Sequence, residues 1–230
     1  MDIYGLQKMT LLDYPGHVAC TVFTGGCDFR CPFCHNFELA ERTCEPIMNE
    51  TELLKFLDKR RGLLDGVAFT GGEPLMDKEL PELIRTIRSK GFLIKLDTNG
   101  YHPDALNSLI NERLVDYIAM DIKNSPQKYP LTCGVKKINL DTIQRSIKII
   151  MDSGCDYEFR TTVIHEFHKT DDFIKIGEMI KGADKFFIQP FTDRDTVPTK
   201  ELSAPLKEEI QQFVEIMKQY VKKTEVRSME

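Results

Sequence analysis

Six short runs of apolar and β-branched residues alternate with helical patterns along the chain, and this alternation constrains the fold most. The runs occupy residues 18–24, 66–70, 92–98, 115–121, 157–164 and 185–189. Strands that alternate with helices are typical of a parallel sheet with right-handed crossovers. Six strand–helix units fall short of the eight in a closed TIM barrel. The sequence therefore predicts an open α/β arrangement, either a partial barrel of parallel strands or a doubly wound sheet.

The chain of 230 residues is long enough for a sizeable core, and we expect residues 1–230 to form a single domain. No linker, low-complexity tract or internal repeat interrupts the pattern. Residues 123–137 contain two prolines and one glycine between predicted elements. Because prolines and glycines are typical of irregular connections, we expect this segment to be an insertion on the surface.

The charge and hydropathy of the chain exclude several classes of partner. With a formal net charge of −5, the chain lacks the excess of positive charge that is typical of proteins that bind nucleic acid. No apolar run approaches the roughly 20 residues that are needed to span a bilayer. The opening Met1-Asp2-Ile3-Tyr4 lacks the basic segment and apolar run of a secretory signal. We therefore expect a soluble, cytoplasmic protein that binds neither nucleic acid nor membranes.

Three cysteines follow the first predicted strand in a short cysteine loop, residues 27–34, with the spacing Cys27-x3-Cys31-x2-Cys34. Such a loop can point three thiolates at one centre, which is one ligand short of a closed four-ligand site. Thiolates bind iron–sulfur clusters, and the missing ligand leaves one metal free to bind a substrate. Phe33 lies just before the last cysteine, where apolar cover limits the access of water.

Other interpretations fit parts of the same segment. Cys31-Pro-Phe-Cys34-His35 matches the C-x-x-C-H pattern of haem attachment, but covalent haem normally accompanies export. Zinc bound by the three cysteines and His35 would be tetrahedral, although neighbouring Cys34 and His35 would form a cramped chelate. Inert structural thiols are the remaining alternative. We favour the cluster over all three.

The chain has seven cysteines, and an odd number without an export signal argues against a disulfide framework. Cys20, Cys44, Cys133 and Cys155 are scattered and contain no second C-x-x-C pair, so we expect no ferredoxin-type domain. Cys20 alternates with valines on a predicted strand and is expected to be a small buried hydrophobe. No role is assigned to the other three.

Polar signals lie at the carboxyl ends of the predicted strands. Besides the cysteine loop, they are Gly71-Gly72-Glu73-Pro74, Asp97-Thr98-Asn99-Gly100, Asp121-Ile122-Lys123, Arg160 with His165, and Gln189. The loops at the carboxyl ends of parallel strands form one face, where α/β proteins bind ligands. Six independent placements on one rim favour a binding site over coincidence.

Each of the two glycine-containing segments could also have a structural role instead of binding a ligand. Gly71 and Gly72 let the backbone approach the ammonium and carboxylate of an amino acid closely, but they could also form a plain turn. Asn99-Gly100 likewise suits a turn that needs left-handed geometry.

The charged residues and the histidine at the strand ends could also have structural roles instead of binding a ligand. Asp121 and Lys123 lie on the same side of a strand, so they could simply pair with each other. Arg160 shares a strand face with Glu158 and could pair either with that carboxylate or with a carboxylate of a ligand. His165 could contact a ligand, but a lone histidine is more often structural.

The cysteine spacing, followed by Gly71-Gly72-Glu73-Pro74, resembles the motif of the radical S-adenosylmethionine (radical SAM) superfamily. Residues 5–200 are similar to the activating proteins of glycyl-radical enzymes, and most like those of anaerobic ribonucleoside-triphosphate reductase. The similarity rests on Leu12-Asp13-Tyr14-Pro15-Gly16, Thr24-Gly25-Gly26-Cys27, Cys34-His35-Asn36, and the D-T-N-G and D-x-K segments at 97–100 and 121–123.

This resemblance implies a fold, a cofactor pair and an activity. The fold would be a partial (β/α)6 TIM-like barrel with parallel strands. A 4Fe–4S cluster would be bound by Cys27, Cys31 and Cys34, with its fourth iron open to S-adenosylmethionine. Reductive cleavage would yield a 5′-deoxyadenosyl radical, which removes a hydrogen atom from a backbone glycine of a partner glycyl-radical enzyme. The implied electron donor is flavodoxin or ferredoxin.

The resemblance also implies which residues bind S-adenosylmethionine. Adenine would lie near Phe33, and the methionine amino group would contact the segment Gly71, Gly72 and Glu73. A monovalent cation near the carboxylate would be held by Asp97, Thr98 and Asp121. Further cofactor contacts are implied for Lys123, Arg160, His165 and Gln189.

Two rival functions remain open from the sequence. A radical SAM enzyme that acts on a small molecule, such as a deazapurine precursor, would carry the same cysteine motif. A zinc- or cluster-stabilised binding module would not be an enzyme at all, but zinc alone leaves the polar rim unexplained. The small size of the chain leaves little room for an internal substrate domain, which suits a substrate that is itself a protein loop.

Overall fold

A computed structural model of the chain describes residues 1–227, and it contains all six strands that the sequence predicts. In chain order, the strands are β1 (Asp2–Ile3), β2 (Gly5–Thr10), β3 (Ala19–Thr24), β4 (Met48–Asn49), β5 (Gly66–Gly71), β6 (Leu93–Thr98), β7 (Tyr117–Asp121), β8 (Asp156–Val163), β9 (Lys185–Pro190) and β10 (Lys223–Val226). The predicted six are β3 and β5 to β9. Buried parallel strands are near-continuous apolar runs, which is why the sequence indicates them.

The order of the strands decides between the two predicted arrangements. The main sheet has eight strands in the order β10-β9-β8-β7-β6-β5-β3-β2. Its six predicted strands are parallel and stand in chain order, without the reversal that defines a doubly wound sheet. Among residues 1–227 no pairing joins β2 to β10. The fold is therefore a partial, open barrel, and the predicted fold class is confirmed.

The sheet has two edge strands that the sequence did not predict. β2 pairs antiparallel with β3, and β10 pairs parallel with β9. Both edge strands are largely exposed, and so they lack the apolar runs of the inner strands. The short strands β1 and β4 form a separate antiparallel pair.

Helices cover the outside of the sheet. They are α1 (Phe37–Glu41), α2 (Glu50–Asp58), α3 (Leu80–Ser89), α4 (Pro103–Asn111), α5 (Tyr129–Thr132), α6 (Leu140–Met151), α7 (Thr170–Met179) and α8 (Lys207–Met217), with a 3₁₀ turn at Pro74–Met76. Helix α2 begins with a capping box, in which Asn49 and Glu52 each bind the other's backbone N–H. Each long helix buries one apolar face, as α3 does with Leu83, Ile84 and Ile87.

The segment 123–137 contradicts the prediction of a surface insertion. Asn124, Tyr129 and Cys133 are each 0% exposed. The Asn124 side-chain amide donates to the Thr132 hydroxyl at 2.9 Å and to the Phe167 carbonyl at 3.2 Å. Because the Asn124 amide is satisfied internally, this polar side chain can be buried within the proline-containing stretch. The segment packs behind the cysteine loop, where the backbone N–H of Arg30 donates to the Cys133 carbonyl at 2.8 Å.

Two further observations complete the description. Cys20 is 0% exposed, as predicted for a small hydrophobe of the core. Among residues 1–227, no helix combines the length and the apolar character that crossing a bilayer requires.

Candidate active site

A cavity of about 400 Å³ opens at the carboxyl ends of the barrel strands. This is the face on which parallel α/β proteins bind ligands, and the volume is in the usual range for ligand pockets. The predicted site residues on its wall are Cys27, Cys31, Phe33, Cys34, Gly71, Gly72, Asp97, Thr98, Asp121, Lys123, Arg160 and Gln189. The cavity therefore brings together signals from all six predicted strands.

The cysteine loop supplies three thiols to this wall. The Cys27 sulfur accepts hydrogen bonds from the Phe29 backbone N–H, at 3.4 Å, and from the Asn99 side-chain amide, at 3.7 Å. Burial nevertheless raises the pKa of Cys27 to about 12, so the free side chain is a thiol. Binding to a metal centre would deprotonate it, and both donors would then stabilise the thiolate.

The arrangement fits a cluster better than a single metal ion. In residues 1–227, no three His, Cys, Asp or Glu side chains converge on the position of one ion. The ring of His35 is instead held by the Thr192 carbonyl, with 2.7 Å between Nε2 and the oxygen, and stacks on Phe191. In a 4Fe–4S cluster each thiolate binds a different iron, so convergence on one point is not required. The structure thus disfavours the zinc alternative.

Gly71 and Gly72 are required by close backbone packing. Gly71 has a φ of +109°, a conformation that side chains rarely adopt. A β-carbon on Gly72 would overlap the Gly26 carbonyl oxygen. Hydrogen bonds from Gly72 N–H to Thr24 O, at 2.9 Å, and from Glu73 N–H to Gly26 O, at 2.8 Å, fix this contact. The glycines thus expose backbone to the cavity beside the start of the cysteine loop.

Glu73 lies behind the cavity wall rather than on it. Its side chain is 1% exposed and accepts hydrogen bonds from Leu75 N–H (3.1 Å), the Thr98 hydroxyl (2.9 Å) and Asn99 N–H (2.7 Å). Burial raises the pKa of Glu73 to about 7. The carboxyl group ties the glycine segment to the segment 97–100 and does not line the cavity.

Five alternating charges form a charged row across three neighbouring strands: Lys95, Asp97, Arg160, Asp121 and Lys123. Arg160 lies directly opposite Asp121 in the register of β7 and β8, and its Nε donates to that carboxylate at 2.5 Å. Its Nη2 donates to Asp97 at 3.1 Å. Lys95 pairs with Asp97, and the Lys123 ammonium donates to Asp121 at 2.8 Å.

Asp97, Asp121 and Lys123 of the charged row stay ionised although their side chains are only 13–23% exposed. Burial by itself would raise the pKa of Asp97 and Asp121, but Arg160 and the neighbouring lysines outweigh it, and both pKa values lie below their ordinary range. Burial would lower the pKa of Lys123, but Asp121 raises it above its ordinary value. Three cations thus face two carboxylates, and the excess positive charge suits an anionic ligand.

A family model described as the radical SAM superfamily matches residues 21–180, which is 160 of the 230 residues. The chain belongs to the radical SAM superfamily. This radical SAM enzyme is 29% identical over 238 residues to the provisionally named glycyl-radical enzyme activating enzyme MJ1227 of Methanocaldococcus jannaschii, with 99% of this chain and 96% of the relative covered.

A second relative is similar in sequence, and a solved structure is similar in fold. The pyruvate formate-lyase-activating enzyme of Clostridium pasteurianum is 29% identical over 154 residues, which covers 64% of this chain and 63% of the relative. A crystal structure of a domain of pyruvate-formate lyase-activating enzyme from Bacteroides vulgatus shares the fold, with a TM-score of 0.58, 19% identity and coverage of 70% of this chain and 98% of that chain. The radical SAM family implies a 4Fe–4S cluster and S-adenosylmethionine, and the thiols and polar groups of the cavity fit both.

The structure of the radical SAM enzyme does not place every predicted residue at the cavity. His165 is absent from the wall, and its Nδ1 pairs with Glu209 at 2.7 Å. Arg160 does not pair with Glu158, which was one sequence-based alternative. Glu158 is 0% exposed and binds Arg227 instead, with 2.6 Å and 3.0 Å between the paired atoms, and it also accepts from the Tyr117 hydroxyl at 2.7 Å.

Some wall residues were missed by sequence reasoning. Lys95 lies two residues before Asp97 on β6, so strand alternation would have placed it on the same inner face. Arg194 and Arg227 also line the cavity. Arg227 follows the edge strand β10, and no pattern in the sequence indicates that it reaches the barrel interior.

Proposed function

We propose that this enzyme activates a glycyl-radical enzyme, and that its partner is anaerobic ribonucleoside-triphosphate reductase. The observation that carries the radical chemistry is the joint presence of three cysteines, a glycine backbone segment and the charged row on one cavity wall. The choice of partner rests on the sequence resemblance. The cluster would be held by Cys27, Cys31 and Cys34. When bound, the cluster supplies the electron that cleaves S-adenosylmethionine to methionine and a 5′-deoxyadenosyl radical. The radical would take a hydrogen atom from a backbone glycine of the partner.

The wall residues would orient S-adenosylmethionine. Exposed backbone at Gly71 and Gly72 would bind the methionine ammonium. Arg160 has five N–H donors and uses Nε and Nη2 on the two aspartates, so donors remain for the methionine carboxylate. Phe33 is 5% exposed and would cover the adenine. Gln189, 8% exposed at the end of β9, would contribute a polar contact.

The side chains as arranged do not fit a monovalent cation. Both carboxylates of the charged row are paired, and the Thr98 hydroxyl donates to Glu73 while it accepts from the Gly100 N–H at 3.1 Å. A cation there would have to share carboxylate oxygens that already accept hydrogen bonds from Lys95, Arg160 and Lys123. The positive charge near the cofactor carboxylate would instead come from Arg160 and Lys123.

An exposed apolar tip supports a protein as substrate. At the end of β2 and just after it, Met9, Leu11 and Leu12 are 65, 69 and 71% exposed, and Leu12 also reaches the cavity wall. Contiguous exposed apolar side chains mark interaction surfaces more often than chance. This tip would contact the partner while its glycine loop enters the open barrel. The proposed electron donor is flavodoxin or ferredoxin, which rests on the family resemblance alone.

The test is anaerobic and uses the complete chain. The protein is reconstituted with iron and sulfide, reduced, and mixed with S-adenosylmethionine and an anaerobic ribonucleotide reductase. We expect 5′-deoxyadenosine together with the electron paramagnetic resonance doublet of a glycyl radical. Deoxyadenosine with no doublet on this partner would refute the partner, and a doublet on a pyruvate formate-lyase instead would reassign it.

A further inference from the structure

Two proteins have to reach this enzyme under the proposed function, the glycyl-radical partner and the electron donor. S-adenosylmethionine and the glycine loop of the partner would occupy the cavity, so the donor has to approach the cysteine loop from another side. Three segments from elsewhere in the fold hydrogen-bond to residues 28–35, namely residues 99–102, 133–134 and 192–199. The charges of these segments therefore indicate where a donor can dock.

An excess of positive charge surrounds one of the three segments. Residues 122–140 contain four lysines and no aspartate or glutamate, in a chain whose net charge is −5. Residues 191–201 contain three acidic and two basic residues, and residues 99–104 contain Asp104 but no lysine or arginine. Glu41, beside the cysteine loop, is paired with Arg30. An acidic protein would therefore be attracted most to residues 122–140.

Two of the four lysines are available to a partner. Lys136 and Lys137 are exposed, and within residues 1–227 neither forms an ion pair, whereas Lys123 and Lys128 pair with aspartates. Leu131, which is 58% exposed, adds an apolar contact. We call Leu131, Lys136 and Lys137 the lysine patch. A small surface of this kind suits a transient electron-transfer encounter, because such interfaces are among the smallest between proteins.

Backbone contacts hold the lysine patch against the cysteine loop. The Arg30 N–H donates to the Cys133 carbonyl at 2.8 Å. Gly134 has a φ of +66°, and a β-carbon there would overlap the Arg30 carbonyl oxygen. Lys136 follows two residues later, and two residues span at most about 7 Å. An electron that is delivered at the lysine patch therefore starts close to Cys31, which follows Arg30 in the chain.

We propose that the lysine patch is the docking surface for an acidic electron-donor protein that reduces the cluster. The inference rests on the proposed function, because the donor would reduce the cluster held by Cys27, Cys31 and Cys34. One electron leaves the reduced donor and enters the oxidised cluster, and no bond forms or breaks. Attraction between the acidic donor and the lysines steers the encounter, and salt screens this attraction.

The test reverses the charge of the lysine patch and makes an equal change elsewhere. The patch variant is Lys136→Glu with Lys137→Glu. The matched control is Lys55→Glu with Lys59→Glu, at two exposed lysines in α2 and directly after it, which also form no ion pair within residues 1–227. Flavodoxin, an acidic one-electron carrier, is the probe.

Two quantities are measured for each protein. The affinity for oxidised flavodoxin is measured by calorimetry on the protein as purified, so it does not depend on the cluster. The rate at which reduced flavodoxin bleaches the reconstituted cluster is followed anaerobically by stopped-flow absorbance, without S-adenosylmethionine.

At low ionic strength, we expect the patch variant to bind flavodoxin about tenfold or more weakly and to be reduced about tenfold or more slowly than the wild type. The control variant should resemble the wild type, and high salt should shrink the difference. Dithionite should reduce the clusters of all three proteins to the same extent, which shows that the fold and the cluster are intact.

Equal affinities and rates in the patch variant and the wild type would overturn the proposal, as would equal losses in both variants. A wild-type reduction rate that is independent of salt would also overturn it. A reduced wild-type protein that carries a complete cluster but does not cleave S-adenosylmethionine would instead refute the proposed function, and the affinities would still decide the docking surface.

Discussion

Arg227 should contribute more to stability than its place near the chain end suggests. The Glu158 carboxylate is 0% exposed, and Arg227 binds both of its oxygens while its own side chain is 30% exposed. Removing one partner of a buried pair costs about 3–5 kcal/mol, and the partial exposure of Arg227 favours the lower end. We therefore expect Arg227→Met to lower the free energy of unfolding by about 3 kcal/mol. At this chain length that corresponds to a melting temperature about 6–12 °C lower.

The pH dependence of the stability tests the Glu158–Arg227 pair more specifically than the melting temperature at one pH. Burial alone would raise the pKa of Glu158, but Arg227 and Arg160 outweigh it and hold the pKa below its ordinary value. The stability from this pair is therefore present above about pH 4.3 and is lost as the pH falls through the pKa of the folded state. Thermal unfolding should show the largest loss in Arg227→Met near pH 7 and a smaller one near pH 4.

Two further variants separate the buried charge from the lost packing. Glu158→Gln combined with Arg227→Met removes both charges and should recover most of the free energy of unfolding that Arg227→Met loses. Arg145→Met breaks an exposed pair with Asp104, whose side chains are 55 and 84% exposed, and should change the melting temperature little. An Arg227→Met protein as stable as the wild type at pH 7, or a double variant no better than the single one, would refute the reasoning.

Three other outcomes are expected from the same structure. Arg160→Gln should weaken S-adenosylmethionine binding by roughly 10- to 100-fold in equilibrium dialysis, because a hydrogen bond to a charged group contributes about 1.5–3 kcal/mol. Full iron content in this variant would show that the cluster is spared. A wild-type affinity that changes between sodium and potassium buffers would contradict a site without a cation. Met9→Ser with Leu11→Ser should raise the KM for the partner about tenfold or more, since burying a methionine or leucine contributes about 1.5–3 kcal/mol. Cleavage of S-adenosylmethionine alone should not change, because neither residue lines the cavity; an unchanged KM would remove the tip from the interface. Cys34→Ala should lose cluster iron while circular dichroism stays that of the wild type, and a full iron complement would refute its assignment as a ligand.

The sequence predicts the strands and the rim of this fold for physical reasons. Inner parallel strands are buried on both faces, so their apolar runs are continuous and their ends are marked by the polar residues that follow. All carboxyl ends lie on one face, and for that reason the positions of Asp97, Asp121 and Arg160 on a common cavity wall could be expected before the structure was known.

Which charged side chains pair within the site could not be predicted from the sequence in this way. Arg160 pairs with Asp121 because the register of β7 and β8 sets them opposite each other, and register is a property of the assembled sheet. Glu158, two residues away in sequence, faces the side chain of Arg227, which comes from beyond the last edge strand. The position of Cys133 depends on the burial of a segment whose composition is typical of a surface loop.

The most direct measurement is the amount of 5′-deoxyadenosine that the anaerobically reconstituted, reduced protein forms from S-adenosylmethionine. We expect methionine and 5′-deoxyadenosine in equal amounts from the wild type and none above background from Cys34→Ala. Absence of cleavage by a wild-type protein with a complete 4Fe–4S cluster, or equal cleavage by the variant, would contradict the assignment of this cavity as a radical SAM active site.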